Sequence, residues 1–312
     1  MSPIEHRIAV CALTYLRPDG LERLLDGLDN MSVPNNSDLI IVIVDNDPDA
    51  SARVAVKHRA NTTRHTIQYV HEPARGISTA RNAAVAAALD WNAAAVCFID
   101  DDEWPDPEWL VEFVATRDKT GADIVTGPVF PVFDETPPQW VIDGEFFERR
   151  RHEHHEQIRY ATTSTVLIGT QCFDGRTEPF NVAFGMSGGE DTHLFAELRE
   201  AGFVTVWCDR SHVYESIPSS RVDTRWILKR EYRRGQTLSL SLRRRNPSPF
   251  AYVKRTANAA LQIGKGVVGT LTGIPQRRAG LLMGAKQIVF GAGMLTGLAG
   301  RRYQEYEETH GT

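Results

Sequence analysis

The sequence predicts an α/β fold: a mixed, mostly parallel sheet flanked by helices, with a basic helical appendage following it. Three observations predict it. Strand and helix patterns alternate three times within the first ninety residues, a further apolar run stops abruptly at three aspartates, and charge is sharply divided along the chain. Alternating units of this kind build parallel sheets covered on both faces.

In order, Arg7 to Leu13 is an apolar strand, Thr14-Tyr15-Leu16-Arg17-Pro18 a loop, and Leu21, Leu24, Leu25 and Leu28 recur at helical spacing. Leu39 to Val44 is a continuous run rich in β-branched residues that ends at Asp45-Asn46-Asp47-Pro48, and a second helix follows. Thr66 to Val70 opens a third unit, completed by the alanine-rich helix Ile77 to Leu89. No GxGxxG follows the first strand, which argues against a dinucleotide-binding dehydrogenase.

Val96 to Ile99 is a buried strand that runs into Asp100-Asp101-Asp102. Ligands of open α/β sheets bind at the carboxyl ends of strands. Clustered carboxylates there supply hard oxygen ligands for Mg²⁺ or Mn²⁺, which in turn hold a diphosphate. The same residues also fit a solvated acidic turn. Pro107 to Thr116 is helical with proline at its start, and Asp123 to Val129 returns as a strand. The charged run carrying His152, His154 and His155 reads as a solvated loop with no chemistry assigned. Gly185 to Phe195 is a glycine-rich turn opening a helix that runs to about Glu200. Glu190 and Asp191 at its start either cap the helix or, with glycines just before them, approach a bound substrate.

Four cysteines, Cys11, Cys97, Cys172 and Cys208, lie far apart with no CxxC spacing and read as reduced and structural. The start, MSPIEHRIAV, lacks the pattern of a secretory signal, so the acidic site is expected in the cytosol. Residues 225–302 hold sixteen Lys and Arg and one acid, Glu231, whereas the remainder holds nineteen bases and thirty-nine acids. A basic region of this surplus expects an anionic neighbour.

These features divide the chain into an α/β domain over 1–222, a basic amphipathic helical region over 223–302 and a polar tail over 303–312. Arg225 to Arg245 is a basic helix, Pro247-Ser248-Pro249 breaks it, and Ala279 to Gly300 is apolar except for Lys286 and Gln287. That last length is near a membrane span, but the central lysine and ten glycines between 264 and 300 disfavour crossing. The expectation is interfacial or re-entrant helices on the inner leaflet, with helices that merely complete the core as the plain alternative. No base-stacking module accompanies the basic stretch, so nucleic acid is not an expected partner.

The order Thr14-Tyr15, Asp45, Arg75-Gly76-Ile77-Ser78-Thr79-Ala80-Arg81-Asn82, Asp100-Asp101-Asp102 and Gly189-Glu190-Asp191 resembles the family 2 glycosyltransferases of GT-A fold, over about residues 5–235. Among them the chain is most similar to bacterial exopolysaccharide and cell-wall enzymes with a GEDT motif and a later helix like Arg230-Glu231-Tyr232-Arg233-Arg234-Gly235. The resemblance implies that Thr14, Tyr15 and Asp45 line the nucleoside pocket, with the Tyr15 ring against the base and Asp45 on its edge. It places Arg75 and Arg81 near the nucleotide sugar, where guanidinium suits phosphate. Asp100 and Asp102 match the outer aspartates of the DxD motif, Asp102 being the direct ligand of Mn²⁺ or Mg²⁺ and Asp101 grouped with the donor-binding residues. Asp191 matches the general base, with Glu190 beside it.

Processive members carry Gln-x-x-Arg-Trp, but Val222-Asp223-Thr224-Arg225-Trp226 keeps only the Arg-Trp, so processivity is not expected. Arg225, Trp226 and Arg230 are assigned to the acceptor side or to phosphate. The neighbourhood where some relatives place a metal-binding histidine offers both His212 and Tyr214-Glu215.

The implied enzyme inverts the anomeric centre and moves a sugar from a nucleoside diphosphate, UDP above all, to a glycan or polyprenyl-linked acceptor. It would work at the cytoplasmic face of the plasma membrane, in envelope or exopolysaccharide synthesis. The alternatives are a catalytically silent scaffold of the same fold, and a sugar nucleotidyltransferase, which the missing glycine-rich phosphate loop after the first strand disfavours.

Overall fold

Burial of the apolar runs explains the architecture of this computed structural model, which describes residues 6–301, the side chains of residues 276 and 277 excepted. Strand β1 (His6–Thr14) is followed by helix α1 (Pro18–Asn30), β2 (Ser37–Asp45), α2 (Arg53–Ala60), β3 (Thr66–His71), α3 (Ile77–Asp90) and β4 (Ala95–Ile99). The four leucines at helical spacing in α1 are all buried against the sheet. Next come β5 (Glu103–Pro105), α4 (Trp109–Thr120), β6 (Ile124–Thr126), β7 (Val129–Phe133), α5 (Gln139–Asp143), β8 (Gln157–Ile158), β9 (Thr165–Gly169), α6 (Glu190–Glu200), β10 (Thr205–Trp207) and β11 (Val213–Ile217). Three long helices follow, the last elements among the described residues: α7 (Thr224–Arg244), α8 (Pro249–Thr272) and α9 (Arg277–Leu298).

The main sheet has the order β3-β2-β1-β4-β9-β6-β10-β8. Strands β3, β2, β1 and β4 are parallel, β9 runs antiparallel between β4 and β6, and β10 pairs parallel with β6. One core cluster on each face buries the alternate residues of β1 and β4, such as Val10 and Cys97 on one side and Cys11 and Phe98 on the other. The chain leaves β1 toward β2 on one side, while β4 lies on the other, which puts the topological switch of the sheet between β1 and β4. Such a crevice is where open α/β sheets bind ligands.

The predicted strand Asp123 to Val129 is broken in the structure. Its first part stays in the main sheet as β6, and the chain then crosses at Gly127-Pro128 into a second sheet ordered β5-β11-β7. A Cβ on Gly127 would lie 2.5 Å from the Ser211 carbonyl oxygen, so the crossing needs glycine. The helix predicted from Pro107 begins two residues later, at Trp109.

Helix α7 starts at Thr224, capped by Asp223, whose carboxylate accepts from the Arg225 and Trp226 amides. Its first turns are part of the body: Ile227 joins Val141, Phe146, Phe147, Ile217 and Leu282 in a third apolar cluster. Helix α9 lies between α7 and α8. The seams are made of glycine, since a Cβ on Gly235 would strike the Phe290 carbonyl and one on Gly266 would lie 2.7 Å from the Gly284 carbonyl oxygen. The polar tail 303–312 lies outside the described residues.

Candidate active site

A cavity of about 330 Å³ opens at the switch point. Strand register dictates who meets there. Thr14 stands opposite Asp45 at the ends of β1 and β2, and Cys11 pairs with Phe98, so Asp100 to Asp102 emerge just beyond β4 beside the end of β1. Thr14, Tyr15, Arg75, Asp100, Asp101, Asp102, Trp226 and Arg230 line the cavity. The Arg75 guanidinium sits 4.8 Å from the centre of the Tyr15 ring, a cation–π distance.

The aspartates are held by guanidinium groups. Arg17 reaches Asp101 at 2.8 Å and Asp102 at 3.2 Å, and Arg221 reaches the same Asp102 oxygen at 2.8 Å. Arg221 also binds Glu215 at 3.2 Å, Arg149 binds Glu215 at 2.5 Å, and Glu103 lies 3.6 Å from Arg149. Burial pushes Asp101 up to about 6, helped by the Asp102 charge and opposed by Arg17. Burial also acts against the charge on Asp102, but Arg221 and Arg17 overcome it and hold that carboxyl below the usual range. Glu103 is pushed well up by burial and then by Asp100. Neighbouring carboxylates are thus driven in opposite directions, the pattern expected of a site that handles charge.

The second acidic feature meets the first through Arg81. Its guanidinium forms a buried ion pair with Glu190 and reaches Asp100 at 3.3 Å, joining the start of α6 to the end of β4 through α3. Gly189, at φ +94°, precedes α6, and the Gly185 carbonyl accepts from the Ile77 amide at 3.1 Å, which ties this loop to the start of α3. Asp191 follows Glu190 on the first turn and accepts from the Thr192 amide and hydroxyl at 2.5 and 3.2 Å. Arg81, Glu190 and Asp191 are not among the residues lining the cavity.

Asp45 is turned inward. Fully buried, it accepts from the Asp47 and Ala52 amides and from the Tyr69 hydroxyl at 2.9–3.1 Å, which organises the loop after β2. The cavity wall at that point is its neighbour Asn46, whose side chain bonds the Glu72 and Ala74 carbonyls and the Gly76 amide. Arg225 is exposed to solvent, whereas Trp226 stacks on Phe147 with centroids 5.9 Å apart, and Arg230 lies over both rings. Among the described residues Arg230 has no carboxylate within ion-pair distance; burial pulls it down to about 10, which leaves it cationic at neutral pH.

His212 points to the Asp209 carbonyl and the Phe130 ring, so of that neighbourhood it is Glu215 that lines the cavity. Arg17 and Glu103 adjoin quoted motifs and were within reach of a sequence reading. Arg149 and Arg221 carry no local signal, because only the second sheet and the turn after it bring them in.

Among the described residues no group of three or more His, Cys, Asp or Glu is arranged as a metal cage. The donor set fits a different kind of ion: Asp100 and Asp102 both face the cavity, and Mg²⁺ is usually held by one or two carboxylates, with phosphates and water completing its shell.

A mostly parallel sheet with an antiparallel insertion, and an acid-rich cavity at its switch point, are the features of a GT-A glycosyltransferase. The chain belongs to glycosyl transferase family 2, whose family model matches residues 9–180. It is 34% identical over 231 residues to the succinoglycan biosynthesis protein ExoM of Rhizobium meliloti (strain 1021), covering 74% of this chain and 72% of that protein. The fold is also that of S. aureus TarS, with a TM-score of 0.53 and 16% identity over 97% of this chain and 56% of the TarS chain. For TarS 1-349 in complex with UDP the TM-score is 0.52, again with 16% identity, covering 96% and 93% of the two chains.

Proposed function

We propose that this glycosyltransferase is an inverting, metal-dependent enzyme that takes its sugar from a nucleoside diphosphate, with UDP favoured by the UDP bound in TarS. It passes that sugar to a glycan or polyprenyl-linked acceptor in exopolysaccharide or envelope synthesis, in line with ExoM. One observation carries the reading: acids ninety residues apart in sequence, at Asp100 and Glu190, are joined through Arg81 beside one cavity at the switch point.

In this reading Tyr15 and Thr14 receive the nucleoside and Arg75 lies toward its phosphates. A divalent cation on Asp102 and Asp100 would supply the positive charge that the departing diphosphate needs. Arg17 and Arg221, which hold Asp102 here, would shift onto phosphate when it enters, and Arg230 adds a further cation to the cavity wall. Asp191 accepts the proton of the attacking hydroxyl as the new bond forms on the face opposite the leaving group. Its side chain must turn from the Thr192 amide and hydroxyl to do so. Trp226, which lines the cavity and is backed by the buried Phe147, is the aromatic side chain available to a sugar ring there. The working surface is the cytoplasmic face of the plasma membrane, where a lipid-linked acceptor and the basic appendage would meet.

The test is release of UDP from a panel of UDP-sugars by the full chain, with Mn²⁺, with Mg²⁺ and with a chelator. Release that needs the metal and inverts the anomeric configuration is expected; a panel that yields no release, or a trapped glycosyl-enzyme, overturns the proposal.

A further inference from the structure

Helix α8 is the least covered element of the appendage, and what it leaves uncovered is patterned. Only Ala259 and Gly266 are buried along its length. At 3.6 residues per turn, Phe250, Val253, Ala257, Leu261, Gly264, Val268 and Leu271 fall in one stripe about 80° wide. Its large members are solvent-facing: Phe250 is 75% exposed, Val253 65%, Leu261 54%, Val268 60% and Leu271 64%, and Ile274 just beyond the helix is 60% exposed. Exposed apolar side chains are ordinary when scattered, but a continuous stripe over some six turns is an interaction surface. Lys254 and Lys265 fall along one edge of the stripe, both exposed, and α8 contains no acid.

Helix α9, by contrast, is long and apolar enough to cross a membrane by length and composition, but it is packed between α7 and α8. Its central Lys286 turns inward to Glu231, at 3.9 Å, and to the Phe146 ring. A spanning role would strip away both neighbours and expose the glycine seams.

We infer that the exposed stripe of α8 docks the protein in the plane of an anionic lipid surface, the apolar residues entering the headgroup boundary and Lys254 and Lys265 meeting its phosphates, while α9 serves as the buried scaffold. This commits the membrane part of the proposed function, on which it rests, to one helix face and to lying on the bilayer instead of crossing it. Charge selects the occupant: residues 225–302 hold sixteen bases and one acid, so a second copy of this region would repel, whereas an anionic leaflet would attract.

The experiment is flotation of the purified full chain with vesicles of phosphatidylcholine alone and with about a third phosphatidylglycerol. Wild type should float with the anionic vesicles at least about tenfold better than with neutral ones. The exposed triple substitution Phe250→Glu, Leu261→Glu, Leu271→Glu should keep its melting temperature and lose that binding about tenfold or more. Wild type that floats with neither vesicle overturns the inference. So does a triple variant that still floats, which would return the anchor to α9, or one that merely converts a lipid-free dimer to a monomer. UDP release in solution separates the two readings, since it is expected to survive the triple substitution and tests catalysis without the surface.

Discussion

The body and the appendage hold themselves together by opposite means. In the body, apolar side chains fill one cluster on each face of a sheet, and the carboxyl ends of its central strands carry the charges. In the appendage there is little side-chain bulk between α7, α9 and α8; backbone meets backbone across glycines. The first arrangement fixes carboxylates and guanidiniums at a strand end to within a hydrogen bond. The second brings helices close enough for dispersion contacts with almost no apolar volume, which frees the larger apolar residues of α8 to face outward. One region is built to position charge and the other to present a surface, and they meet in α7, which supplies Trp226 and Arg230 to the cavity and Gly235 to the seam.

This contrast can be broken, and the largest effect is expected in the body. Asp102→Asn should lower turnover by roughly a hundred- to a thousandfold, the scale of losing a major source of charge stabilisation, while circular dichroism of α7 to α9 stays unchanged. Asp191→Asn should retain donor binding, read by calorimetry, yet lose at least about a hundredfold in turnover, as for a missing general base. Near-normal turnover would move the role to another group.

On the other side of the comparison, Gly235→Ala should cost about 1–3 kcal/mol, as overpacking does, because a methyl there meets the Phe290 backbone. Thermal denaturation should show the loss. Were the seam dispensable, the variant would melt like the parent.

The smallest effect concerns pH. Glu103 has a folded pKa raised above its unfolded value, so its contribution to stability is full below the unfolded value near 4.5 and is lost as pH rises toward the folded one. Glu103→Gln should therefore be at least as stable as the parent at pH 7 to 8 and lose any advantage near pH 4. A fixed difference at all pH values would contradict the assignment.

Much of this was legible in the sequence, and the reasons are local. The period of Leu21, Leu24, Leu25 and Leu28 fixes α1, uninterrupted apolar runs fix β1, β2 and β4, and glycines 188 and 189 mark the start of α6 at Glu190. The second sheet was not legible, because β5 and β11 are short and alternate weakly, and the crossing at Gly127 depends on Ser211, over eighty residues away. The same distance hid Arg149 and Arg221 from the site. For Asp45 the family resemblance implies a contact with the base edge, and the structure adds what a motif does not carry, that its oxygens accept from two amides and the Tyr69 hydroxyl. The appendage was readable as basic and helical, but which helix faces outward depends on packing partners that no periodicity specifies.

The bridge made by Arg81 has a consequence for anyone who would assign roles by knocking out acids one at a time. Because a single guanidinium answers to both Glu190 and Asp100, deleting Glu190 leaves it free to close fully on the other carboxylate. An inactive Glu190 variant would then be silent on whether chemistry or wiring had failed, and only a paired change at Arg81 would tell the two apart.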